Sequence, residues 1–308
     1  MTKIFIAGSA GTTGLRIYER LESRKDIELI RLSEENRKDI NARKAALSQA
    51  DIAFLCLPDA AAKEAVSLVE NGNTVIIDTS TAHRTNPDWE YGFPELSAEM
   101  EQKITASKRI AVPGCHASGF ISLVFPLVKS GVLDKNALLT CFSVTGYSGG
   151  GKKMIAEYES ENRDPLLSAP RQYGIAQTHK HLPEMTAVCG LENAPVFSPI
   201  VADFYSGMEV TVPLFKSQIN GTAEDIKKVY KEKYNGSVVK YKEEFDEGGF
   251  VSANRLSGKD SMEISVSGNE DRILLVSRYD NLGKGASGAA VECMNIVMGT
   301  DKTKGLIL

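Results

Sequence analysis

The first hundred residues alternate between short apolar runs and amphipathic segments, and this alternation is the feature that most constrains the fold. The runs KIFIAG, DIAFLCLP and TVIIDTS are typical of buried strands, whereas TTGLRIYERLES and AAAKEAVSLVEN have the apolar spacing of helices. Wholly apolar strands joined by helices indicate a parallel sheet covered on both faces. The sequence therefore predicts an α/β, doubly wound sheet that binds its ligands beyond the carboxyl ends of the strands.

The pattern changes after about residue 137, where longer strand-like runs follow one another with turns between them. Examples are ALLTCFSVTGY, MEVTVPLF, SMEISVSG and DRILLVSRYD, and only AEDIKKVYKEKYN is plainly helical in this part. We therefore expect a second, α+β domain on a mostly antiparallel or mixed sheet. A chain of 308 residues accommodates two domains. The closing GASGAAVECMNIVMG is predicted to be a buried helix.

Composition excludes several classes of function. The net charge of −4 gives no general attraction for nucleic acid or for acidic membranes, and no run has the length of a transmembrane helix. The five cysteines show no CxxC pair and no paired spacing, which fits a reducing compartment better than a disulfide scaffold. The sequence predicts a cytoplasmic protein that binds neither nucleic acid nor membrane.

A glycine-rich loop follows the first predicted strand and precedes the first predicted helix. It reads Gly8-Ser9-Ala10-Gly11-Thr12-Thr13-Gly14, a GxxGxxG pattern rather than GxGxxG. Glycines let the main chain approach a pyrophosphate, and the helix N-terminus offers N–H groups and partial positive charge. The alternative is a glycine-rich turn without a ligand. In this strand–loop–helix context the loop predicts a Rossmann-type dinucleotide-binding domain.

The choice between NAD and NADP is made at the end of the second strand, which reads RLSEENRK. Ser33, Arg37 and Lys38 could bind a 2′-phosphate, whereas Glu34 could bind a free ribose hydroxyl pair. Because Arg and Lys together suit a dianion, the stretch favours NADP(H). The alternative is a charged, exposed turn.

Cys115 lies in VPGCHASGFISLVF, where Pro113 and Gly114 mark a turn and an apolar segment predicts a helix. A helix N-terminus stabilises an anion, so the pKa of this thiol is expected to fall and the thiolate to act as a nucleophile. A buried, inert cysteine is the alternative. Pro126 is expected to kink or end the helix.

Two of the four histidines, His179 and His181, stand in THKHLPEM, which would place both on one face if the segment were extended. A metal site would need further ligands that the neighbourhood does not supply, so no metal is predicted. One imidazole beside a thiolate is the usual acid/base partner, and His179 is the candidate. His181 or Glu184 could orient the substrate or the ring. A buried structural pair remains the alternative.

Two further stretches carry candidate ligand groups. DTSTAHR puts Ser80 and Arg84 beyond a strand end, where Ser80 is expected to contact the cofactor and Arg84 an anionic part of the substrate. An ion pair on the surface is the alternative for Arg84. GYSGGGKK is either a mobile anion-binding loop or a flexible turn.

These stretches, together with GFPEL and DNLGKGASGAA, resemble the shorter form of the N-acetyl-γ-glutamyl-phosphate reductases of arginine biosynthesis, in order along nearly the whole chain. The resemblance implies a cysteine nucleophile at Cys115, acid/base catalysis by His179, and Asn281 and Gly283 near the nicotinamide. It also implies a homo-oligomer, a dimer or a tetramer. The closing helix would return to the first domain, so that residues 1–114 and 286–308 bind the dinucleotide and residues 115–285 form the catalytic domain.

The resemblance also defines a reaction and its rivals. A thiolate would displace phosphate from an acyl phosphate, and hydride from NADPH would reduce the resulting thioester to an aldehyde. Relatives often have an aromatic residue and proline after the cysteine, so His116 here is a rival base. The alternatives are the same chemistry on an aspartyl or aminoadipyl phosphate, a non-catalytic dinucleotide sensor and a cysteine hydrolase.

Overall fold

The computed structural model describes all 308 residues, and the chain divides into two compact units. The first unit comprises Met1–Gly114 and Ala286–Leu306, and the second comprises Cys115–Gly285 with Ile307–Leu308. No helix is both long and apolar enough to cross a membrane.

The chain forms thirteen strands and nine α-helices. The strands are β1 (Thr2–Ala7), β2 (Ile27–Ile30), β3 (Ile52–Leu55), β4 (Val75–Asp78), β5 (Glu90–Tyr91), β6 (Arg109–Ala111), β7 (Thr140–Gly146), β8 (Arg171–Gln172), β9 (Val196–Ala202), β10 (Met208–Phe215), β11 (Val239–Tyr241), β12 (Met262–Gly268) and β13 (Arg272–Tyr279). The α-helices are α1 (Thr12–Leu21), α2 (Ile40–Gln49), α3 (Asp59–Ser67), α4 (Ala98–Ala106), α5 (Cys115–Lys129), α6 (Gly151–Tyr158), α7 (Leu182–Cys189), α8 (Ala223–Lys233) and α9 (Gly288–Val297).

The first unit is built on a parallel six-stranded sheet with the order β2-β1-β3-β4-β6-β5. Successive side chains of a strand point to opposite faces, so β1 supplies apolar residues to two cores. Ile4 and Ile6 pack in the core that includes residues of α1, α4 and α9. Phe5 and Ala7 pack in the core that includes residues of α2 and α3. The doubly wound parallel sheet predicted from the sequence is confirmed.

The second unit is built on a mixed seven-stranded sheet with the order β11-β12-β13-β10-β7-β9-β8. The pairs β10–β13, β12–β13 and β10–β7 are antiparallel, whereas β7–β9 and β11–β12 are parallel. Along β10 every second residue is buried, from Met208 to Leu214, and α5 packs on β10 and β13. The predicted α+β class of this part is confirmed.

One local expectation for the second unit was wrong. The segment AEDIKKVYKEKYN is not its only clear helix after residue 137, because α6 and α7 are also helical. Both are short, so their periodic patterns are too brief to be recognised. Of the two expectations for Pro126, an end of the helix is excluded, because α5 continues to Lys129 with nearly all its side chains buried, and a kink stays a prediction. In GYSGGGKK, Tyr147–Gly150 form a 3₁₀ turn that leads into α6, and the choice between a mobile anion-binding loop and a flexible turn stays open.

Candidate active site

The glycine loop connects β1 to α1, and two of its glycines are required by packing. Gly8 has a φ of +82°, and a Cβ there would lie 2.2 Å from the carbonyl oxygen of Cys56. A Cβ on Gly14 would lie 2.4 Å from the carbonyl oxygen of Gly8. Gly11 donates its N–H to that same oxygen at 2.9 Å and is the N-cap of α1. The first turn of α1 therefore begins with Thr12 and Thr13 immediately after a tightly folded loop.

A cavity of about 600 Å³ in the first unit opens beside this loop. Its walls include Gly8, Ser9 and Ala10, and beyond β2 the basic residues Arg31, Arg37, Lys38 and Arg43. The one carboxylate among them, Glu34, is 79 % exposed at its side chain and forms an ion pair with Arg37 at 3.0 Å. Ser33 begins the same turn, and its carbonyl oxygen accepts from the N–H of Arg37 at 3.0 Å. The glycine loop lets a pyrophosphate come close to the main chain, and several cationic side chains lie beyond the second strand. This combination suits NADP.

Ser80 belongs to a buried polar cluster at the end of β4. Its hydroxyl donates to Oδ2 of Asp78 at 2.7 Å, and its N–H donates to Oδ1 at 2.9 Å. Nδ1 of His83 lies 2.6 Å from the same Oδ2, and the His83 ring stacks on Trp89 at 4.0 Å. Ser80 is therefore held rigidly at the carboxyl edge of the sheet. Its contact with a cofactor stays a prediction.

Arg84 ties strand ends together within the first unit. Its Nε donates to the carbonyl oxygen of Val112, and its Nη2 donates to that of Thr79, both at 2.9 Å. These contacts connect the chain beyond β4 with the chain beyond β6. The structure thus gives Arg84 a bracing role, and its contact with an anionic substrate stays a prediction.

Cys115 is the first residue of α5 and is partly exposed, so the predicted position at a helix N-terminus is confirmed. Of the other thiols, Cys141, Cys189 and Cys293 are buried, and burial raises the pKa of Cys56 to about 12. Cys115 is therefore the one cysteine that combines partial exposure with a helix start, the environment that favours a thiolate.

Beside Cys115 in sequence, His116 is fixed by hydrogen bonds at both ring nitrogens. Nδ1 lies 2.6 Å from Oγ of Ser143, and Nε2 lies 2.6 Å from the hydroxyl of Tyr173. Burial, with a smaller contribution from His179 and Lys180, lowers the pKa of His116 to about 3. A buried, neutral ring whose nitrogens are both engaged is a poor proton carrier, which argues against His116 as the base.

His179 and His181 lie in one aromatic cluster with His116. The ring centroid of His116 lies 5.6 Å from that of His179 and 5.6 Å from that of His181. The ring centroids of His179 and His181 are 4.8 Å apart. Phe197 contacts the rings of His116 and His179 at 5.3 and 5.2 Å. The two histidines are adjacent, but not because the segment is extended: His181 is the N-cap of α7 and follows a turn.

His179 has the environment expected of an acid/base group. Nδ1 accepts the main-chain N–H of His181 at 3.3 Å, so the neutral ring carries its proton on Nε2. Burial, and then the charge of Lys180, lowers its pKa. Gln177 precedes it at a φ of +55°, and its side-chain amide both donates to and accepts from the main chain of Phe197 at 2.8 Å. This clamp fixes the turn that carries the imidazole.

Tyr173 connects this cluster with the cysteine. Its ring lies 5.9 Å from that of His179, and its hydroxyl bonds His116. Burial chiefly, and then the negative charge of Cys115, raises the pKa of Tyr173 above its ordinary value. Cys115, Tyr173, His116 and His179 therefore form one group of neighbours.

The remaining predicted residues are buried. His181 and Glu184, at the start of α7, are 4 % and 1 % exposed, so a role in binding substrate stays a prediction. Oδ1 of Asn281 accepts from Gly207 N–H at 2.9 Å, and its Nδ2 donates to Ser148 Oγ at 3.0 Å. A Cβ on Gly283 would lie 1.9 Å from the carbonyl oxygen of Lys259. Packing accounts for both residues, and their contact with the nicotinamide stays a prediction.

Sequence reasoning did not single out Ser143, Tyr173, Gln177 or Tyr279. The hydroxyls of Ser143 and Tyr173 hold a histidine that is distant in sequence, and Gln177 bonds a strand that begins later in the chain.

Two family models match the two units. The model described as Semialdehyde dehydrogenase, NAD binding domain matches residues 3–104, and the one described as Semialdehyde dehydrogenase, dimerisation domain matches residues 115–281.

Solved structures similar to this chain include aspartate semialdehyde dehydrogenase II from Vibrio cholerae in complex with ASA, with a TM-score of 0.72 at 16 % identity over 97 % of this chain and 98 % of that one. Aspartate semialdehyde dehydrogenase from Francisella tularensis also has a TM-score of 0.72 at 16 % identity, over 97 % of this chain and 100 % of that one. The family models define a semialdehyde dehydrogenase with a dinucleotide-binding domain, and the solved structures show the same fold.

Similar curated proteins narrow the class. N-acetyl-gamma-glutamyl-phosphate reductases of Brucella ovis and Brucella canis are each 45 % identical over 306 residues, which is 96 % of this chain and 99 % of theirs. The chain belongs to the N-acetyl-γ-glutamyl-phosphate reductase family, within the semialdehyde dehydrogenases.

Proposed function

We propose that this enzyme reduces N-acetyl-γ-glutamyl phosphate to N-acetylglutamate 5-semialdehyde with NADPH, releasing phosphate through a thioester on Cys115. The observation that carries the proposal is the joint placement of a partly exposed cysteine at a helix start and a half-buried imidazole in the same group of side chains. A dinucleotide sensor would need the glycine loop but no such pair. A cysteine hydrolase would need the pair but not the basic cavity beside the loop.

The first half of the reaction is acyl transfer. The Cys115 thiolate attacks the acyl carbon, the carbon–oxygen bond to phosphate breaks, and phosphate leaves with the electron pair. The α5 N-terminus stabilises the thiolate because the main-chain N–H groups of its first turn carry partial positive charge.

The second half is reduction and release. When NADPH is bound, it supplies the hydride that reduces the thioester carbon. Reduction leaves an oxyanion on the carbon that is bound to the sulfur, and Nε2–H of His179 donates a hydrogen bond to this oxygen. The oxyanion re-forms a carbonyl as the carbon–sulfur bond breaks, so the aldehyde leaves and the thiolate is restored. The lowered pKa of His179 suits this role, because it keeps the ring neutral at neutral pH with Nε2–H as the donor.

The test uses the reverse reaction, in which N-acetylglutamate 5-semialdehyde and phosphate together reduce NADP⁺, followed at 340 nm. We expect no absorbance change without phosphate, and little with aspartate semialdehyde or the aminoadipate homologue in place of the acetylated substrate. Cys115→Ser is expected to lose nearly all of this rate while binding NADPH as tightly as the wild type. Faster turnover of aspartate semialdehyde would assign the enzyme to the aspartyl reaction instead.

We also propose that the enzyme is a homo-oligomer joined through the open face of the second sheet. Phe142, Val196 and Leu274 lie on the face away from α5 and α8 and are 47, 58 and 40 % exposed. An exposed apolar sheet face of this kind marks an interface, and the matching family model is described as a dimerisation domain. A second copy of the chain is its partner in this proposal. Phe142→Asp should convert a dimer or tetramer to a smaller species in sedimentation equilibrium, whereas Ile40→Asp, at an exposed position on α2 of the first unit, should not.

A cytoplasmic location belongs to the same proposal. All five cysteines are unpaired, and a reducing compartment keeps the proposed nucleophile a thiol. Fractionation of cells that express the tagged protein should recover it with cytosolic markers.

A further inference from the structure

The hydroxyl of Tyr279 is inserted into the first turn of α5. Tyr279 ends β13 and is fully buried, and its hydroxyl donates to the carbonyl oxygen of Cys115 at 2.6 Å. The hydroxyl oxygen of Tyr279 in turn accepts from the N–H of Gly119 at 3.0 Å. In a regular helix a carbonyl and the N–H four residues later bond each other directly. A side chain from a distant strand therefore bridges the two groups that define the turn carrying the cysteine.

Gly119 leaves space for the hydroxyl of Tyr279 because it has no side chain. A Cβ on Gly119 would lie 2.6 Å from the Tyr279 hydroxyl and 2.8 Å from Oγ of Ser277. It would also lie 2.5 Å from a methyl carbon of Val210. No larger residue fits at position 119 without displacing the tyrosine. The glycine and the tyrosine are thus two halves of one arrangement.

The chain that follows Tyr279 also contacts the cysteine. A Cβ on Gly285 would lie 3.1 Å from Cβ of Cys115, so the main chain there packs directly against the cysteine side chain. Asp280 holds this segment in place through hydrogen bonds accepted from the N–H of Leu282 at 2.7 Å, the N–H of Gly283 at 3.1 Å and the hydroxyl of Ser206 at 2.9 Å. The segment next to Tyr279 is therefore fixed by its own hydrogen bonds, so the position of Tyr279 does not depend on that of α5.

The hydroxyl stays protonated in this position. Burial chiefly, and then the negative charge of Cys115, raises the pKa of Tyr279 well above its ordinary value. It consequently remains a hydrogen-bond donor to the Cys115 carbonyl at every pH at which the thiolate reacts.

We propose that Tyr279 is a positioning residue for the nucleophile: its hydroxyl sets where the main chain of Cys115 lies, and thereby where the sulfur is presented to the acyl carbon. The inference rests on the proposed role of Cys115. Without the hydroxyl, the Cys115 carbonyl loses the donor that holds it from outside the helix, and the first turn of α5 can shift together with the cysteine. A displacement of about 1 Å in a reacting group lowers turnover about 100-fold.

The test compares Tyr279→Phe with Tyr230→Phe in the full-length enzyme. Tyr230 is an equally buried tyrosine whose hydroxyl donates to the carbonyl oxygen of Leu123 at 2.6 Å, farther along the same helix. Both variants lose one buried hydroxyl against α5, so both should unfold at similarly lower temperatures. We expect Tyr279→Phe to lower kcat about 10- to 100-fold with KM nearly unchanged, and to slow alkylation of Cys115 by iodoacetamide, located by peptide mapping. Tyr230→Phe should leave kcat and alkylation within about twofold of the wild type.

Gly119→Ala is a second variant that displaces the hydroxyl from the other side, and it should slow alkylation in the same direction. The inference is overturned if Tyr279→Phe alkylates and turns over within about twofold of Tyr230→Phe. Alkylation does not depend on the substrate, so this outcome is separate from failure of the proposed function. That failure would show instead as full activity in Cys115→Ser.

Discussion

Nδ1 of His179 accepts the main-chain N–H of His181 at 3.3 Å, and this bond determines which ring nitrogen carries the proton. With Nδ1 occupied by a donor, the neutral ring holds its proton on Nε2. The contact is between residues only two apart, yet it requires the turn before α7, which Gln177 clamps to Phe197.

The first prediction concerns Lys180, whose positive charge helps lower the pKa of His179, after burial. A positive neighbour disfavours the imidazolium, so Lys180→Met is expected to raise the pKa of His179. The acidic limb of the kcat/KM profile against pH should then move to higher pH. Because Lys180 is exposed, added salt should move the wild-type limb in the same direction and leave that of the variant nearly in place. If the acidic limb is unchanged in Lys180→Met, that limb does not report the ionisation of His179.

The second prediction concerns stability and His116, whose pKa falls to about 3 on folding, mainly through burial. Between its unfolded pKa of about 6.5 and this value, the unfolded chain binds a proton that the folded one does not. Stability should therefore be complete above about pH 6.5 and fall as the pH decreases, by up to about 1.4 kcal/mol per pH unit from this residue. Urea unfolding at pH 7, 6 and 5 should give a shallower decline for His116→Gln than for the wild type. Parallel declines would contradict the neutral, buried ring.

His116→Gln is also expected to lower stability at pH 7 itself. The substitution disturbs the partners of Ser143 and Tyr173, and an unsatisfied buried group costs about 1–3 kcal/mol. Ser198→Ala, a half-buried residue on β9, is a control that should change the free energy of unfolding little.

The third prediction separates packing from cofactor binding in the glycine loop. Gly14→Ala would bring a Cβ to 2.4 Å from a carbonyl oxygen, so we expect a clear loss of thermal stability. At Gly11 the nearest contact of a Cβ is an ordinary 3.4 Å, so Gly11→Ala should melt close to the wild type. It should nevertheless weaken NADPH binding, measured by calorimetry, because a methyl group at the helix N-cap blocks close approach of the pyrophosphate. Wild-type affinity in Gly11→Ala would place the pyrophosphate elsewhere.

The fourth prediction concerns the choice of cofactor. Arg37 lines the cavity beyond β2 and pairs only with the exposed Glu34. Arg37 is expected to bind the 2′-phosphate through its guanidinium, and Arg37→Gln would remove this contact. The kcat/KM for NADPH should therefore fall about tenfold, while that for NADH changes little. Arg20→Gln, on the far end of α1, is the matched control. Equal losses with both cofactors would assign Arg37 to folding and not to the 2′-phosphate.

Much of the fold could be predicted from the spacing of apolar residues and from the residues at the ends of helices and strands. The parallel sheet, the mixed second sheet, the start of α5 at Cys115 and the loop between β1 and α1 all follow from the spacing of apolar residues and from glycine and proline at the ends of elements. The residue roles proposed at the site depended on the resemblance as well, and they stay predictions.

What the sequence determined by itself is local, because helix and strand periods, helix starts and tight turns depend on neighbours a few positions away. Only the tertiary structure decided which side chains hold the proposed nucleophile and its partner. The hydroxyl of Tyr279 reaches Cys115 across 164 positions, and Tyr173 reaches His116 across 57. Such pairs arise when strands and helices pack in three dimensions, and no local pattern in the chain records the distance between two atoms that folding brings together.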